Sequence, residues 1–342
     1  MSFIFQHKMP SSAEVKEQYP LPADLAAKKA KRDQQIRAII AGDSDRFLVI
    51  VGPCSAHSED AVCDYVSRLA KVQEKVSDRL VLVPRIYTNK PRTTGSGYKG
   101  ILHQPDPTKA PDMVAGLLAL RQMHLRCLRE SGLSAADEML YPENHTHLDD
   151  LLSYVAVGAR SVENQQHRLT ASGVDQPVGM KNPTSGDLQI MLNAIYAAQH
   201  PHTFAYQGWQ VQTSGNPLAH AILRGAVDRY GKAQSNYHYE DLIRLDVLYK
   251  RMNLSNQVVL IDTNHANSDK TYQEQPRIAA EIMHNRRVSP VINNLVRGLM
   301  IESYIEPGSQ EPDGCVYGQS ITDACLGWAE TEDLLLRIAD QA

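Results

Sequence analysis

Phe47-Leu-Val-Ile-Val51 is a continuous apolar run of strand length, and it leads directly into Gly52-Pro-Cys-Ser55. A run without polar alternation is typical of a parallel strand that is buried on both faces. Ser58 follows at a position suited to an N-cap, and the residues after it place apolar side chains at helical spacing. The stretch therefore predicts a strand, a loop and a helix, which is the repeating unit of a parallel α/β fold.

The same unit recurs along most of the chain. A leading helix is predicted over residues 25–40, and it ends before Gly42. Further strands are predicted at residues 80–86, 135–140, 155–160, 177–181, 219–224, 257–261 and 295–302. Helical patterns lie between or after them, at residues 112–131, 148–154, 187–198, 239–252, 272–283 and 322–338. Alternating units of this kind predict a parallel sheet with right-handed crossovers.

Eight strands in a chain of this length predict a (β/α)8 barrel, the TIM barrel, with an N-terminal extension. The alternative is a doubly wound open sheet, although no Gly-x-Gly-x-x-Gly motif follows a predicted strand. Residues 203–211 fit either the sixth strand or a small inserted hairpin. We therefore predict an N-terminal extension over residues 1–45 and one barrel over residues 46–342.

Composition excludes several classes of protein. The chain has 342 residues, with 35 Lys and Arg against 39 Asp and Glu, so its formal net charge is −4. A slightly acidic chain without a basic block is a poor nucleic-acid binder, and the apolar runs are too short to span a bilayer. The five cysteines are scattered and odd in number, which argues against a disulfide framework. We expect a protein of a reducing compartment, the cytoplasm, with no nucleic-acid or membrane partner.

Charged residues stand at the carboxyl ends of the predicted strands, where the active site of such a barrel lies. The cationic members are Arg85, Lys99, Arg160, Lys181 and Arg224, and Glu138 ends the third strand. Arginine and lysine converging on one cleft suit a ligand that carries phosphate and carboxylate. The stretch Lys90-Pro-Arg-Thr93 could bind a second phosphate. Singly, each residue is better explained as a rim charge, but together they favour a binding site.

A second set combines sulfur, nitrogen and oxygen donors, namely Cys54, His265, Glu302 and Asp323. In a closed barrel the first strand neighbours the eighth, so residues that are remote in sequence meet there. A lone buried cysteine or histidine is usually structural. Four such residues at one corner instead favour a divalent ion such as Mn, Fe, Co or Zn over Mg or Ca.

Nine short stretches around these residues occur in a fixed order. They are Gly52-Pro-Cys-Ser55, Lys90-Pro-Arg-Thr-Thr94, Gly158-Ala-Arg160, Pro177-Val-Gly-Met-Lys-Asn182, Thr213-Ser-Gly-Asn216, Ile222-Leu-Arg-Gly225, His265-Ala-Asn-Ser268, Ile301-Glu-Ser303, and Tyr317-Gly318 with Ser320-Ile-Thr-Asp-Ala-Cys325. With them the chain resembles class I 3-deoxy-D-arabino-heptulosonate 7-phosphate (DAHP) synthase of the microbial type regulated by aromatic amino acids.

The resemblance implies a transferase that condenses phosphoenolpyruvate with erythrose 4-phosphate and releases phosphate, the first step of the shikimate pathway. It implies that phosphoenolpyruvate is surrounded by Arg85, Lys99, Glu138, Arg160, Lys181 and Arg224. The aldose phosphate would contact Lys90, Arg92 and Thr93. The metal ligands would be Cys54, His265, Glu302 and Asp323, and the candidates for proton transfer are Glu138, Lys181 and His265. The family's oligomers suggest a homodimer or homotetramer, with the N-terminal segment reaching a neighbouring subunit.

Some positions depart from the family pattern. The loop that contains Gly95-Ser96-Gly97-Tyr98 is one residue longer than usual, and Asp137 and Tyr141 replace a usual Gly and Asp. Two other functions therefore stay open, the same chemistry on another phosphorylated aldose and a catalytically silent paralogue that binds metabolites. The region 203–212 is several residues shorter than in the family, so we expect altered or absent feedback by phenylalanine or tyrosine.

Overall fold

Eight parallel strands form a nearly closed barrel in the computed structural model, which describes residues 2–92 and 94–342. The strands are β1 (Phe47–Gly52), β2 (Leu80–Pro84), β3 (Ala135–Glu138), β4 (Leu152–Val157), β5 (Val178–Lys181), β6 (His220–Leu223), β7 (Val259–Asp262) and β8 (Val296–Glu302). Each strand pairs with the next along the chain from β3 to β8, and β1 pairs with both β8 and β2. A parallel bridge between Arg85 and Ala136 joins β2 to β3. The predicted barrel is confirmed.

Ten α-helices surround or precede these strands in the described ranges. They are α1 (Ser12–Gln18), α2 (Ala23–Ala41), α3 (Glu59–Val76), α4 (Met113–Ser131), α5 (Gln165–Ala171), α6 (Leu188–Gln199), α7 (Tyr239–Met252), α8 (Gln275–Val288), α9 (Pro290–Leu295) and α10 (Trp328–Gln341). Local sequence explains several ends, since Ser58 accepts from the Ala61 N–H at the start of α3 and Asp187 caps α6. Helix α2 ends at Gly42, whose φ of 87° is left-handed. None of the described helices is both long and apolar enough to cross a membrane.

The core has two parts, one between the barrel and its helices and one inside the barrel. Leu48, Ile50 and Met300 belong to the inner cluster. Helix α2 contributes its isoleucines at positions 36, 39 and 40 to the same cluster. Residues of the predicted N-terminal extension therefore pack with the barrel interior.

One predicted helix, at residues 148–154, is wrong. Leu148, Leu151, Leu152 and Val155 are buried and have the i, i+3, i+4, i+7 spacing of a helix face. The structure instead has a 3-10 helix at Pro142–His147 and then β4, because all six residues of Leu152–Val157 are buried on the two faces of a parallel strand.

The open choice at residues 203–211 is settled as an inserted hairpin. Thr203–Tyr206 and Trp209–Gln212 pair antiparallel in a separate two-stranded sheet. Gln207 and Gly208 both have positive φ, as a two-residue hairpin turn of type I′ requires. The sixth barrel strand is β6, at the predicted position.

A buried histidine inside the barrel makes stability depend on pH. His220 accepts through Nε2 from the Tyr154 hydroxyl at 2.8 Å, because its Nδ1 lies 2.8 Å from the Leu218 carbonyl and must donate. Burial lowers the pKa of His220 from 6.5 to about 4. Between these values the unfolded chain binds more protons than the folded one, so the free energy of unfolding falls as pH falls from 6.5 to 4, by on the order of 3 kcal/mol.

We therefore expect His220→Gln to flatten the pH dependence of stability in this window. Urea unfolding at several pH values between 4 and 7 measures the slope for each protein. The matched control is His284→Gln, which changes an exposed histidine and should leave the wild-type slope. Equal slopes for wild type and His220→Gln would refute the assignment.

Candidate active site

Three metal-type side chains meet where β1 and β8 join. Glu302 is the last residue of β8 and pairs in register with Gly52 of β1, two residues before Cys54. The Cys54 Sγ and one carboxylate oxygen each of Glu302 and Asp323 lie within 4.8 Å of one another. The sequence predicted that residues far apart along the chain meet where the first and eighth strands close the barrel. Cys54, Glu302 and Asp323 do so.

His265 lies beside this group and is not one of its members. Its Nε2 is 3.8 Å from Glu302 Oε1, and its Nδ1 is 2.9 Å from Asp262 Oδ2. His265 has a φ of 51°, in the left-handed region that a non-glycine residue seldom adopts. The backbone therefore turns after β7 at the residue that carries the imidazole.

The group fits a divalent cation. Glu302 Oε1 is buried and its polar neighbours are the Arg85 guanidinium, 3.0 Å away, and His265 Nε2, 3.8 Å away, while Oε2 accepts from the Asn264 amide at 2.6 Å. Lys90 Nζ lies 2.6 Å from Cys54 Sγ and 3.0 Å from Asp323 Oδ2. A positive charge therefore already contacts two of the three candidate metal-ligand atoms. Sulfur and carboxylate oxygen together suit a borderline ion better than Mg or Ca.

The electrostatics of the group follow from burial and from these neighbours. Burial, with the charge of Glu302, raises the pKa of Cys54 to about 11. Burial opposes ionisation of Asp323, but Lys90 and Lys270 outweigh it and keep the pKa of Asp323 well below its usual value. The pKa of Glu302 is lowered in the same way, with His265 and Arg85 as the main opposing charges.

Buried cations continue from this group across the strand ends. Arg85 donates to the Pro53 carbonyl, pairs with Glu302 at 3.0 Å and stacks over the Tyr87 ring. Lys181 Nζ is 3.0 Å from Asp262 Oδ2, and both side chains are buried. Arg224 has a buried Nη1 without a hydrogen-bond partner in the described chain, and burial lowers its pKa. An anionic ligand would satisfy the unpartnered Arg224 donor.

A cavity of about 600 Å3 opens beside these residues. Its cationic lining consists of Lys90, Arg92, Lys99 and Arg160. Arg92 also donates to the Tyr98 carbonyl at 2.8 Å, which ties together the two ends of the unusual loop. Four cations around one cavity of this size can hold a small molecule with more than one anionic group.

The other predicted site residues lie as follows. Glu138 ends β3 and is buried against Gly158, where a side-chain Cβ would stand 2.2 Å from Glu138 Oε1. Lys90, predicted at the aldose phosphate, lines the cavity and also contacts the Cys54 and Asp323 side chains. Thr93 lies outside the described residues.

Two aspartates contribute more than the sequence predicted. Asp262 contacts both Lys181 and His265. In the sequence, its position at the end of β7, three residues before His265, is the feature that could have indicated this role. Asp137, next to Glu138, accepts from the backbone N–H of Thr88 at 2.9 Å and from its hydroxyl. Asp137 thereby fixes the start of the loop that carries Lys90.

Comparison with known proteins bears on the same residues. A family model described as the DAHP synthetase I family matches residues 21–336, which contain all the site residues named above. The chain belongs to the DAHP synthetase I family. The family resemblance predicted from the motifs is thus confirmed over nearly the whole chain.

Several curated relatives of this family member carry the name phospho-2-dehydro-3-deoxyheptonate aldolase. The Tyr-sensitive protein of Escherichia coli (strain K12) is 39% identical over 334 residues, covering 95% of this chain and 90% of the relative. The phenylalanine-inhibited protein of Saccharomyces cerevisiae is 35% identical, covering 98% and 89%. A solved structure of the Francisella tularensis protein of that name matches with a TM-score of 0.92 and 30% identity, covering 99% of this chain and 98% of the other.

Proposed function

We propose that this enzyme condenses phosphoenolpyruvate with erythrose 4-phosphate to give DAHP and phosphate, the entry reaction of aromatic amino acid biosynthesis. The observation that carries the proposal is the joint presence of the sulfur and oxygen group of Cys54, Glu302 and Asp323 and of the cationic cavity beside it. Relatives named phospho-2-dehydro-3-deoxyheptonate aldolase support it over 95% or more of the chain.

We assign phosphoenolpyruvate to the cations at the strand ends, of which Arg85, Lys181 and Arg224 are buried. Its phosphate and carboxylate would be bound by Arg85, Lys99, Arg160, Lys181 and Arg224, with Glu138 at the edge of the same site. Arginine binds such groups through two parallel hydrogen bonds, so several arginines fix the orientation of the enol as well as its position. Held in this way, C3 of phosphoenolpyruvate faces the metal group.

The aldose phosphate would be bound at the side of the cavity lined by Lys90 and Arg92. Thr93, which lies outside the described residues, is assigned to the same phosphate from the sequence alone. Cys54, His265, Glu302 and Asp323 would hold a divalent ion, of Mn, Fe, Co or Zn, and such an ion would supply Lewis-acid polarisation of the aldehyde. The protein's side chains bring the aldehyde carbon and C3 of phosphoenolpyruvate into contact, and the new carbon–carbon bond forms between them.

The remaining steps need water and proton transfer. Water adds at C2, where positive charge develops, and the phosphate then leaves with its bridging oxygen from the tetrahedral intermediate. Glu138, Lys181 and His265 are the candidates to take up the water proton and to protonate the alkoxide. Asp262, in contact with both Lys181 and His265, would stabilise the charged form of either one.

The test uses purified protein treated with a chelator and then given Mn²⁺. We expect phosphate release that requires phosphoenolpyruvate, erythrose 4-phosphate and the metal together. Turnover with another aldose phosphate, such as arabinose 5-phosphate, in place of erythrose 4-phosphate would favour the same chemistry on a different substrate. Absence of turnover with every aldose would favour a silent paralogue.

We propose a homodimer or homotetramer in which the N-terminal segment contacts a neighbour. Phe3, Ile4 and Phe5 are 81, 86 and 94% exposed. Three consecutive exposed apolar side chains favour burial against another surface. The chain after them is anchored on its own subunit, since Lys16 pairs with Asp149 at 2.5 Å.

Feedback inhibition by phenylalanine or tyrosine is expected to be altered or absent. The shortened hairpin, Thr203–Tyr206 with Trp209–Gln212, borders a cavity of about 640 Å3 and is tied to the 3-10 helix by a hydrogen bond from the Tyr206 hydroxyl to the Pro142 carbonyl. Initial rates measured across a titration of each amino acid test this. Strong, saturable inhibition by either one would contradict it.

A further inference from the structure

We propose that Tyr141, held in place by His103, is a specificity-determining residue that hydrogen-bonds the hydroxyl groups of the aldose carbon chain. The inference rests on the proposed function and refines it. Both side chains line the cavity of about 600 Å3 that also contains Lys90, Arg92 and Arg160. They are therefore exposed to the same bound molecule as the phosphate-binding cations.

The two side chains form a defined pair. The Tyr141 hydroxyl lies 2.8 Å from His103 Nε2, and the two rings are tilted by 57° with centroids 5.5 Å apart. Tyr141 is the residue just before the 3-10 helix Pro142–His147, and its carbonyl accepts from the Asn144 N–H at 3.0 Å. The backbone of Tyr141 is thus fixed by the helix and its hydroxyl by His103.

Tyr141 and His103 are neutral, whereas Lys90, Arg92, Lys99 and Arg160 in the same cavity lining are positively charged. Partial burial, with the nearby charge of Lys99, lowers the pKa of His103, so the imidazole is neutral at neutral pH. A neutral imidazole and a phenol each offer one donor and accept one hydrogen bond, which matches an alcohol better than a phosphate. The cations of the cavity have donors only, and they match phosphate.

The hydroxyl groups of the substrate match such a neutral contact. An aldose 4-phosphate carries two free hydroxyls between its aldehyde and its phosphate, and a five-carbon aldose phosphate carries three. If the aldehyde lies at the metal group and the phosphate at Arg92, the hydroxyls lie between them, inside the cavity that Tyr141 and His103 line. A site built to hydrogen-bond a hydroxyl discriminates strongly against ligands that cannot offer one there.

The experiment is a calorimetric titration with erythritol 4-phosphate, an alcohol that cannot condense, and with inorganic phosphate. Loss of one hydrogen bond predicts that Tyr141→Phe weakens binding of erythritol 4-phosphate about tenfold. Binding of inorganic phosphate should be unchanged, because it has no carbon chain. His103→Asn should also weaken binding of erythritol 4-phosphate relative to binding of inorganic phosphate, since it removes the partner that orients the Tyr141 hydroxyl.

The matched control is Tyr239→Phe, at a tyrosine of similar exposure, 41% against 39% for Tyr141, that lies outside the cavity lining. It should bind both probes as the wild type does. An unchanged affinity of Tyr141→Phe for erythritol 4-phosphate, or an equal loss for both probes, would overturn the inference. Wild-type turnover is measured separately, so failure of the proposed reaction is distinguished from failure of this contact.

Discussion

Cys54→Ala is expected to lower metal-dependent phosphate release by about 1000-fold or more, because each tenfold loss requires only about 1.4 kcal/mol of transition-state stabilisation. The thiol is one of three ligand atoms within 4.8 Å of one another, and its removal takes the only sulfur from the proposed set and leaves that set one ligand short. The fold should persist, since alanine removes one sulfur atom from a buried site at a cost of about 1 kcal/mol. Steady-state rates with added Mn²⁺ and a thermal unfolding curve measure both effects.

The control for this variant is Cys63→Ala. Cys63 is equally buried, in α3, and its sulfur lies 3.2 Å from that of Cys127, among helices and away from the strand ends. It should keep wild-type activity while losing a comparable amount of stability. Full activity of Cys54→Ala would remove Cys54 from the metal assignment.

Lys181→Met is expected to lower kcat/KM for phosphoenolpyruvate by about 100-fold or more, the scale for truncating one partner of a buried charge pair. Lys181 is buried at the end of β5 and pairs with Asp262 at 3.0 Å. Methionine keeps much of the side-chain length and removes the positive charge that we assign to binding of phosphoenolpyruvate. Asp262 retains His265 Nδ1 at 2.9 Å and the Asn264 N–H at 3.1 Å, so part of its stabilisation remains.

Two further variants separate lost binding from lost folding. Lys181→Arg keeps the charge and should recover stability, with activity between those of wild type and Lys181→Met. Lys75→Met breaks an ion pair of similar length, 2.9 Å to Glu332, at the surface and should change neither activity nor stability by a measurable amount. Wild-type kcat/KM in folded Lys181→Met would exclude Lys181 from the phosphoenolpyruvate site.

Most of the barrel could be predicted from the sequence because its strands are buried on both faces. Such strands appear as short apolar runs, as at Phe47–Gly52, and the helices between them begin at capping residues such as Ser58 and Asp187. The one helix that was wrong, at residues 148–154, shows the limit. Leucines in a short apolar run match a helix face and a buried strand equally well, and the choice is made by the neighbouring strands β3 and β5.

The site could be predicted in outline because strand order fixes which residues meet. Pairing of β1 with β8 brings Cys54 to Glu302, and this followed from closing the barrel. The contacts that long side chains make could not be predicted from the order of the strands. Lys90 extends to the Cys54 thiol, and His265 is turned toward Asp262 by its left-handed backbone; both depend on loop conformations that no local pattern encodes.

The most direct test of the metal assignment is a crystal of the protein soaked in Mn²⁺ and measured at the manganese absorption edge. We predict a single strong anomalous peak at the junction of β1 and β8, within bonding distance of Cys54, Glu302 and Asp323, with His265 turned toward it. No peak there, with these side chains pointing apart at full Mn²⁺ exposure, would contradict it.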